Sequence, residues 1–280
     1  MLTALVLAGG CATPGPDPES PKPSAALQSI ALSLPGRYVS VAHERTAPPH
    51  LSIQPGPSSD QETLSLILTQ TDPEDGAVRR FALRLEPTAS ELRLAGEITP
   101  LHADGGGRLS CPMSFHLRER GLVGTTDPRT CRFGEGAEAT GLLKEMVFDG
   151  RRLTIGDRLV SLTDGSSPVR DEVLDFLPVL RFSGWAGKRE GDAWRIGHDI
   201  DIVTGGRSTT PRDAAGMALG IVLRLDYYRL KAGSGEILLR LTVSDDEGSV
   251  LTEAWSDPRS RSIGVALPDL QVGLRLEDQP

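Results

Sequence analysis

Short alternating runs dominate the chain. Over residues 62–71, Leu64, Leu66 and Leu68 fall on one side and Ser65, Ile67 and Thr69 on the other, the period-two pattern of a half-buried strand. Residues 114–118 (Ser-Phe-His-Leu-Arg) alternate in the same way. Gly121 then supplies a turn, and Leu122 and Val123 begin a return strand. Asp127 and Pro128 end that strand, because proline has no N–H to give to a ladder. The same reading predicts strands over 37–41, 51–53, 78–85, 145–148 and 152–155, the last two joined at the turn dipeptide Asp149 and Gly150. Residues 157–162 continue that sheet, 91–98 fit helix or strand equally, and 169–176 read as a helical turn. Helical spacing is confined to 24–34, where Ala26, Leu27, Ile30 and Leu34 recur before Pro35 and Gly36 stop the run. Beyond a glycine-rich stretch at 182–191, further strands are expected over 196–203, 218–230, 236–244, 249–255, 262–267 and 272–276, with Asp245 to Gly248 as a hairpin turn. Many short strands between turns predict an all-β sandwich or barrel.

Composition narrows the partners. The 280 residues are enough for a full core. A net charge of −8 argues against nucleic acid, whose phosphates need a basic face. There are three cysteines, Cys11, Cys111 and Cys131. Cys111 and Cys131 bracket the 114–123 hairpin. With Cys11 removed from the count by modification, that pair can close as a disulfide, implying an oxidising compartment. The alternative is a two-cysteine metal site, for which no second CxxC and no nearby histidine pair supply the missing ligands.

The first eleven residues, MLTALVLAGGC, run from apolar to small to cysteine. Leu7, Ala8, Gly9, Gly10 and Cys11 resemble the end of a bacterial lipoprotein signal, which implies lipidation of Cys11 and an anchor in the outer membrane, facing the periplasm. Residues 1–10 would be the signal and 11–23 a proline-rich tether, extended and unable to pack. The folded part divides at the glycine-rich stretch into 24–181 and 182–280.

Val123, Gly124, Thr125 and Thr126, followed by Cys131, match an apolar–Gly–small–Thr pattern and its cysteine. Ser110 with Cys111, Gly36–Arg37–Tyr38, and Arg80 match further points in order along the chain. So do Trp255 to Pro258, Ile263 to Val265 and Gln271 to Leu274. On these residues the chain resembles the CpcT/CpeT family, described as chromophore lyases for phycobiliproteins. The family's Pro-Tyr-Arg-Gln-Arg stretch is here Gly76-Ala77-Val78-Arg79-Arg80. The resemblance implies a calycin, lipocalin-like antiparallel β-barrel over 24–181, with 182–280 as additional strands that complete or extend it. It implies a bilin, a linear tetrapyrrole, or another amphipathic ligand in the calyx, and delivery of that ligand to a client protein's cysteine. The alternative is a non-enzymatic envelope lipoprotein that binds a partner.

Arg79 and Arg80 are adjacent on a strand and so point to opposite faces. One faces the interior, where its planar guanidinium can grip a propionate in bidentate fashion; Arg80 is the expected anchor. His43, His50, His102, His116 and His198 show no metal-ligand spacing, and the acidic run at 245–247 reads as a solvated turn, so no metal is expected. No serine sits in a G-x-S-x-G elbow, and the glycine runs at 105–107 and 205–206 lack a following Lys-Ser/Thr. Trp185, Trp194 and Trp255 are expected to pack.

Overall fold

Ten strands close on themselves. In the computed structural model, which describes residues 23–41, 47–57, 62–101, 110–119, 121–136, 139–167, 172–230 and 235–278, one helix precedes eighteen strands. Helix α1 spans Pro23–Ser33. The first strands are β1 (Gly36–Ser40), β2 (His50–Pro55), β3 (Leu64–Thr71), β4 (Val78–Pro87), β5 (Arg93–Pro100), β6 (Cys111–Arg118) and β7 (Gly121–Thr126). They are followed by β8 (Arg132–Phe133), β9 (Thr140–Phe148), β10 (Leu153–Ser161) and β11 (Glu172–Pro178). Each pairs antiparallel with the next, except that β8 is a short appendage on β9; β9 then pairs with β10, and β11 returns to β1. Closure leaves ten strands with no free edge, which removes the unpaired backbone groups an open sheet exposes.

Period-two alternation decides which side chains enter this barrel. Every barrel strand sends at least one buried residue inward, including Tyr38, Ile53, Leu68, Leu83, Leu94, Phe115, Leu122, Met146, Leu153 and Phe176. The register between β5, β6 and β7 places Phe115 opposite Gly124 and diagonal to Gly96. A Cβ at Gly124 would lie 2.1 Å from the Phe115 ring and one at Gly96 2.4 Å from it, so glycine at both positions admits the ring. At one end, the base, α1 inserts Leu27 and Ile30 into the same core, and Leu34 just after it does likewise. Tyr38 donates a hydrogen bond from its phenol to the Leu34 carbonyl (2.7 Å), satisfying an acceptor at the end of the helix. Burial pushes the Tyr38 phenol up to about 12. The interior is therefore filled with side chains, not hollow.

The opposite end, the rim, carries charge. Lys144 is buried on β9, donates from Nζ to Asp157 of β10 (2.5 Å), and lies 5.0 Å from the centre of the Phe81 ring. The disulfide predicted between Cys111 and Cys131 is present, with both cysteines buried and their Cα atoms 4.9 Å apart.

The remaining strands do not extend the barrel sheet. β12 (Arg181–Glu190), β13 (Ala193–Val203), β17 (Ser262–Ala266) and β18 (Leu270–Leu276) form one sheet, in the order β13-β12-β18-β17. A second sheet holds β14 (Val222–Arg229), β15 (Ile237–Ser244) and β16 (Val250–Ser256). Their inner faces share a core of Phe182, Ile200, Leu223, Leu241, Val272 and Leu274, among others. Val39, Val41 and Leu177 join that core from the outer wall of the barrel, so the sandwich is built onto β1 and β11. Gly205, at φ 65°, passes so close to Val39 that a Cβ would lie 2.2 Å from its side chain. Tyr227 donates to the Pro178 carbonyl (3.0 Å), and Arg229 pairs with Asp175.

Three expectations need correction. The helical turn over 169–176 is instead strand β11 from Glu172, because Leu174 and Phe176 alternate inward with Asp175 and Leu177 outward. The strand over 218–230 begins only at Val222; before it the chain makes isolated bridges, Thr209 with Leu223 and Arg212 with Ala218. The strands of 182–280 neither complete nor extend the barrel, since their inward residues have their own core to fill. The ambiguous stretch 91–98 is β5 from Arg93. Residues 1–22, with Cys11 and the tether, and the glycine loop at 102–108 lie outside the described residues.

Candidate functional site

A cleft of about 1280 Å³ opens at the base of the barrel. Seven pieces of chain meet there. Helix α1 contributes Ala25, Ser29, Ile30 and Ser33, and the β4–β5 connection contributes Glu91 and Leu92. The β6–β7 turn brings Leu117, Arg118, Glu119 and Gly121, and the β9–β10 turn brings Phe148 to Arg152. Leu177 of β11 and, from the sandwich, Ile237 with Asp257, Pro258 and Arg259 close the far side.

Local turn chemistry sets this geometry. Asp149 accepts hydrogen bonds from the backbone N–H of Arg151 (3.0 Å) and Arg152 (2.7 Å), while Gly150 takes φ 93°, a left-handed conformation open to glycine. Asp257 accepts from the Arg259 N–H (2.7 Å) in the same manner, and its carboxyl is held below the usual range by the Arg259 guanidinium beside it. Arg151 donates to the Pro258 carbonyl (2.6 Å) and so ties the barrel base to the sandwich.

The floor is apolar: Ile30, Leu117, Phe148, Leu177 and Ile237, with Leu92 standing 66% exposed at the edge. The border carries four arginines (118, 151, 152, 259) and four carboxylates (91, 119, 149, 257), a balanced set. Arg152 is paired with Asp149 (3.6 Å) and Arg259 with Asp257 (3.2 Å), whereas Arg118 makes no ion pair among the described residues. An apolar floor with a charged border suits a molecule with an apolar body and polar ends.

The predicted anchor residues lie at the other end of the barrel. Arg79 shares strand parity with Leu83 and Leu85, so it is the inward member of the pair; it pairs with Glu172 of β11 across the rim (3.4 Å), both side chains being well exposed. Arg80 is exposed on the outward parity of β4. Neither borders the base cleft. Cys111 and Cys131 clamp the rim-side ends of β6 and β7. Among the described residues no group of three or more His, Cys, Asp or Glu is placed to hold a metal. Of the histidines, His43 and His102 lie outside the described residues; His50 on β2 is half-buried, and burial together with Arg37 lowers its pKa.

All three tryptophans, expected to pack, are only partly covered. Trp185 and Trp194 are each 38% exposed and Trp255 is 40% exposed, because all stand on outward strand positions. Trp255 meets Tyr228 edge to face (5.4 Å), and the Arg240 guanidinium lies 4.5 Å from the Tyr228 ring. Beneath them Asp226 is buried beside Arg224 (2.7 Å) and Arg240 (3.9 Å), and burial raises its pKa against the pull of both arginines.

The cleft was not legible in the sequence, since its walls come from turns up to 168 positions apart, from Glu91 to Arg259. Neither a scan of protein-family models nor a comparison with curated proteins finds a match for this chain.

Proposed function

We propose that this is a non-enzymatic binding protein that holds an amphipathic ligand in the cleft at the base of the barrel. The observation that carries the reading is the joining of an apolar floor to a charged border in a space of about 1280 Å³, beside a barrel whose own interior is filled. Ligand pockets commonly occupy about 300–1,000 Å³, so the cleft suits a molecule of lipid or tetrapyrrole size. The ligand's apolar body lies against Ile30, Leu117 and Ile237, and a carboxylate reaches Arg118. A bilin, with its conjugated body and two propionates, belongs to this class, and the CpcT/CpeT resemblance makes it the first probe. The lipoprotein-like residues 7–11 support a membrane-tethered, periplasm-facing location, which a lipid adduct on Cys11 in the mass spectrum tests.

The experiment is a titration of the full chain with biliverdin and with a fluorescent anilinonaphthalene sulfonate, followed by absorbance and emission. Saturable binding is expected, weakened about tenfold by Leu92→Asp or Arg118→Ala and untouched by Arg80→Ala. Binding that ignores the cleft variants but falls with Arg79→Ala or Arg80→Ala moves the site to the rim and refutes this reading; no binding of either probe refutes it as well.

A further inference from the structure

The outer face of the β13-β12-β18-β17 sheet carries two part-exposed indoles that rest against glycines. Trp185 stands opposite Gly273 in the β12–β18 register, and a Cβ at Gly273 would lie 2.9 Å from its Nε1. Trp194 covers Gly187, whose Cβ would lie 3.2 Å from the indole Cε3. Each indole therefore packs in part on bare backbone and leaves part of its surface to solvent, in keeping with their 38% exposure. The two covered glycines are two residues apart along the strand direction and one strand apart across it, which sets the rings roughly 8 Å apart.

We propose that this face is a carbohydrate-binding platform for a chain of pyranose rings. The C–H faces of a sugar ring are apolar and flat, and they stack on an indole face, while the ring's equatorial hydroxyls point to the sides. Here the sides offer hydrogen-bonding groups: Ser183, Ser262 and Arg275 occupy matching register positions beside the Trp185 ring. Charge selects the same occupant. Arg181 is committed to Asp201 (2.7 Å) and Glu277 (3.4 Å), and Arg189 to Asp192 (3.4 Å), so the face is nearly neutral. A polyphosphate chain would need a basic face, and the protein as a whole carries −8. Two part-exposed indoles on an open sheet face present area on which a sugar ring can stack. The separation of the rings means that an oligosaccharide engages both and a monosaccharide only one. This platform is independent of the base cleft and lies on a different element of the fold.

The test presents the full chain to an array of common pyranose oligosaccharides, then titrates cellotetraose, chitotetraose and any stronger responder while indole emission is followed. Saturable binding of at least one oligosaccharide is expected. Trp185→Ala and Trp194→Ala each weaken it about tenfold, as loss of an aromatic anchor does. Trp185→Phe retains part of the affinity. Gly273→Val, which keeps the indole but lifts it off the sheet, weakens binding with little change in melting temperature, and Trp255→Ala on the other sheet leaves it intact. No binding on the array, or binding that survives the Trp185→Ala/Trp194→Ala double variant in a protein that still melts cooperatively, overturns the proposal. Association of the unmodified protein into oligomers that the double variant abolishes, without glycan binding, also overturns it and makes the face a protein contact.

Discussion

Phe115 and Gly124 form the sharpest energetic test of a filled barrel. The ring is fully buried, and a methyl group at Gly124 would lie 2.1 Å from ring carbon Cε1, with further ring atoms at 2.4 and 2.8 Å. The ring is held between β5 and β7, with Gly96 close on its other side, so it has little room to move away from the new methyl. Gly124→Ala is therefore an overpacking change, costing about 1–3 kcal/mol. Phe115→Ala removes the ring and leaves a void, costing about 3–5 kcal/mol. In the double variant the new methyl enters vacated space, and alanine in a strand lacks the roughly 0.5–1 kcal/mol chain-entropy penalty of glycine. The double variant should be at least as stable as Phe115→Ala alone, giving a coupling of about 2 kcal/mol or more. Urea denaturation followed by circular dichroism measures all four proteins. Additivity within about 0.5 kcal/mol would refute the geometry, since it means ring and methyl never compete. The void also has a ligand signature: Phe115→Ala should gain thermal stability in the presence of benzene, and the parent protein should not.

Three further outcomes follow from the same packing. Replacing Cys111 and Cys131 together by serine opens a loop with a sequence separation of 20 and should cost about 3 kcal/mol, read as a lower urea midpoint; an unchanged midpoint, or alkylation of both thiols without reductant, contradicts the disulfide. Asp157→Ala should cost about 3 kcal/mol or more and Lys144→Met about 1 kcal/mol, because the lysine side chain is 5% exposed and left unpaired in the core while the aspartate at 35% reaches water; equal losses would argue that both charges are solvated. Burial raises both Tyr38 and Tyr227 to about 12, so the unfolded chain releases their protons first. Stability from these phenols is complete below pH ~10 and is lost as pH rises toward about 12, at roughly 1.4 kcal/mol per pH unit for each. Tyr38→Phe should remove one proton's worth of that slope in alkaline denaturation curves, and an unaltered slope would show that the phenol is not withdrawn from water.

How much was legible beforehand depended on the range of the interactions involved. The alternation at Leu64, Leu66 and Leu68 and at Phe115 and Leu117, the turn at Asp149 and Gly150, and the helical spacing of Leu27, Ile30 and Leu34 all depend on neighbours within a few residues. The sequence by itself therefore determined the all-β class, the short helix before the first strand and the hairpin clamped by Cys111 and Cys131. Strand partners are a different matter. That β7 pairs with β9 past β8 while β11 closes onto β1 depends on contacts between residues far apart, and only the tertiary structure decided it. The same holds for Arg79 and Arg80: adjacency showed that they diverge, but which one turns inward depends on the register of β4 against β3. Trp185 and Trp194 have the composition of core residues, and their place on an outer face follows from which side of β12 and β13 meets the second sheet. The base cleft lies furthest from the sequence, because its floor exists only once α1 plugs the barrel and the sandwich docks on Val39, Val41 and Leu177. Local patterns encode each strand's two faces; packing decides what those faces meet.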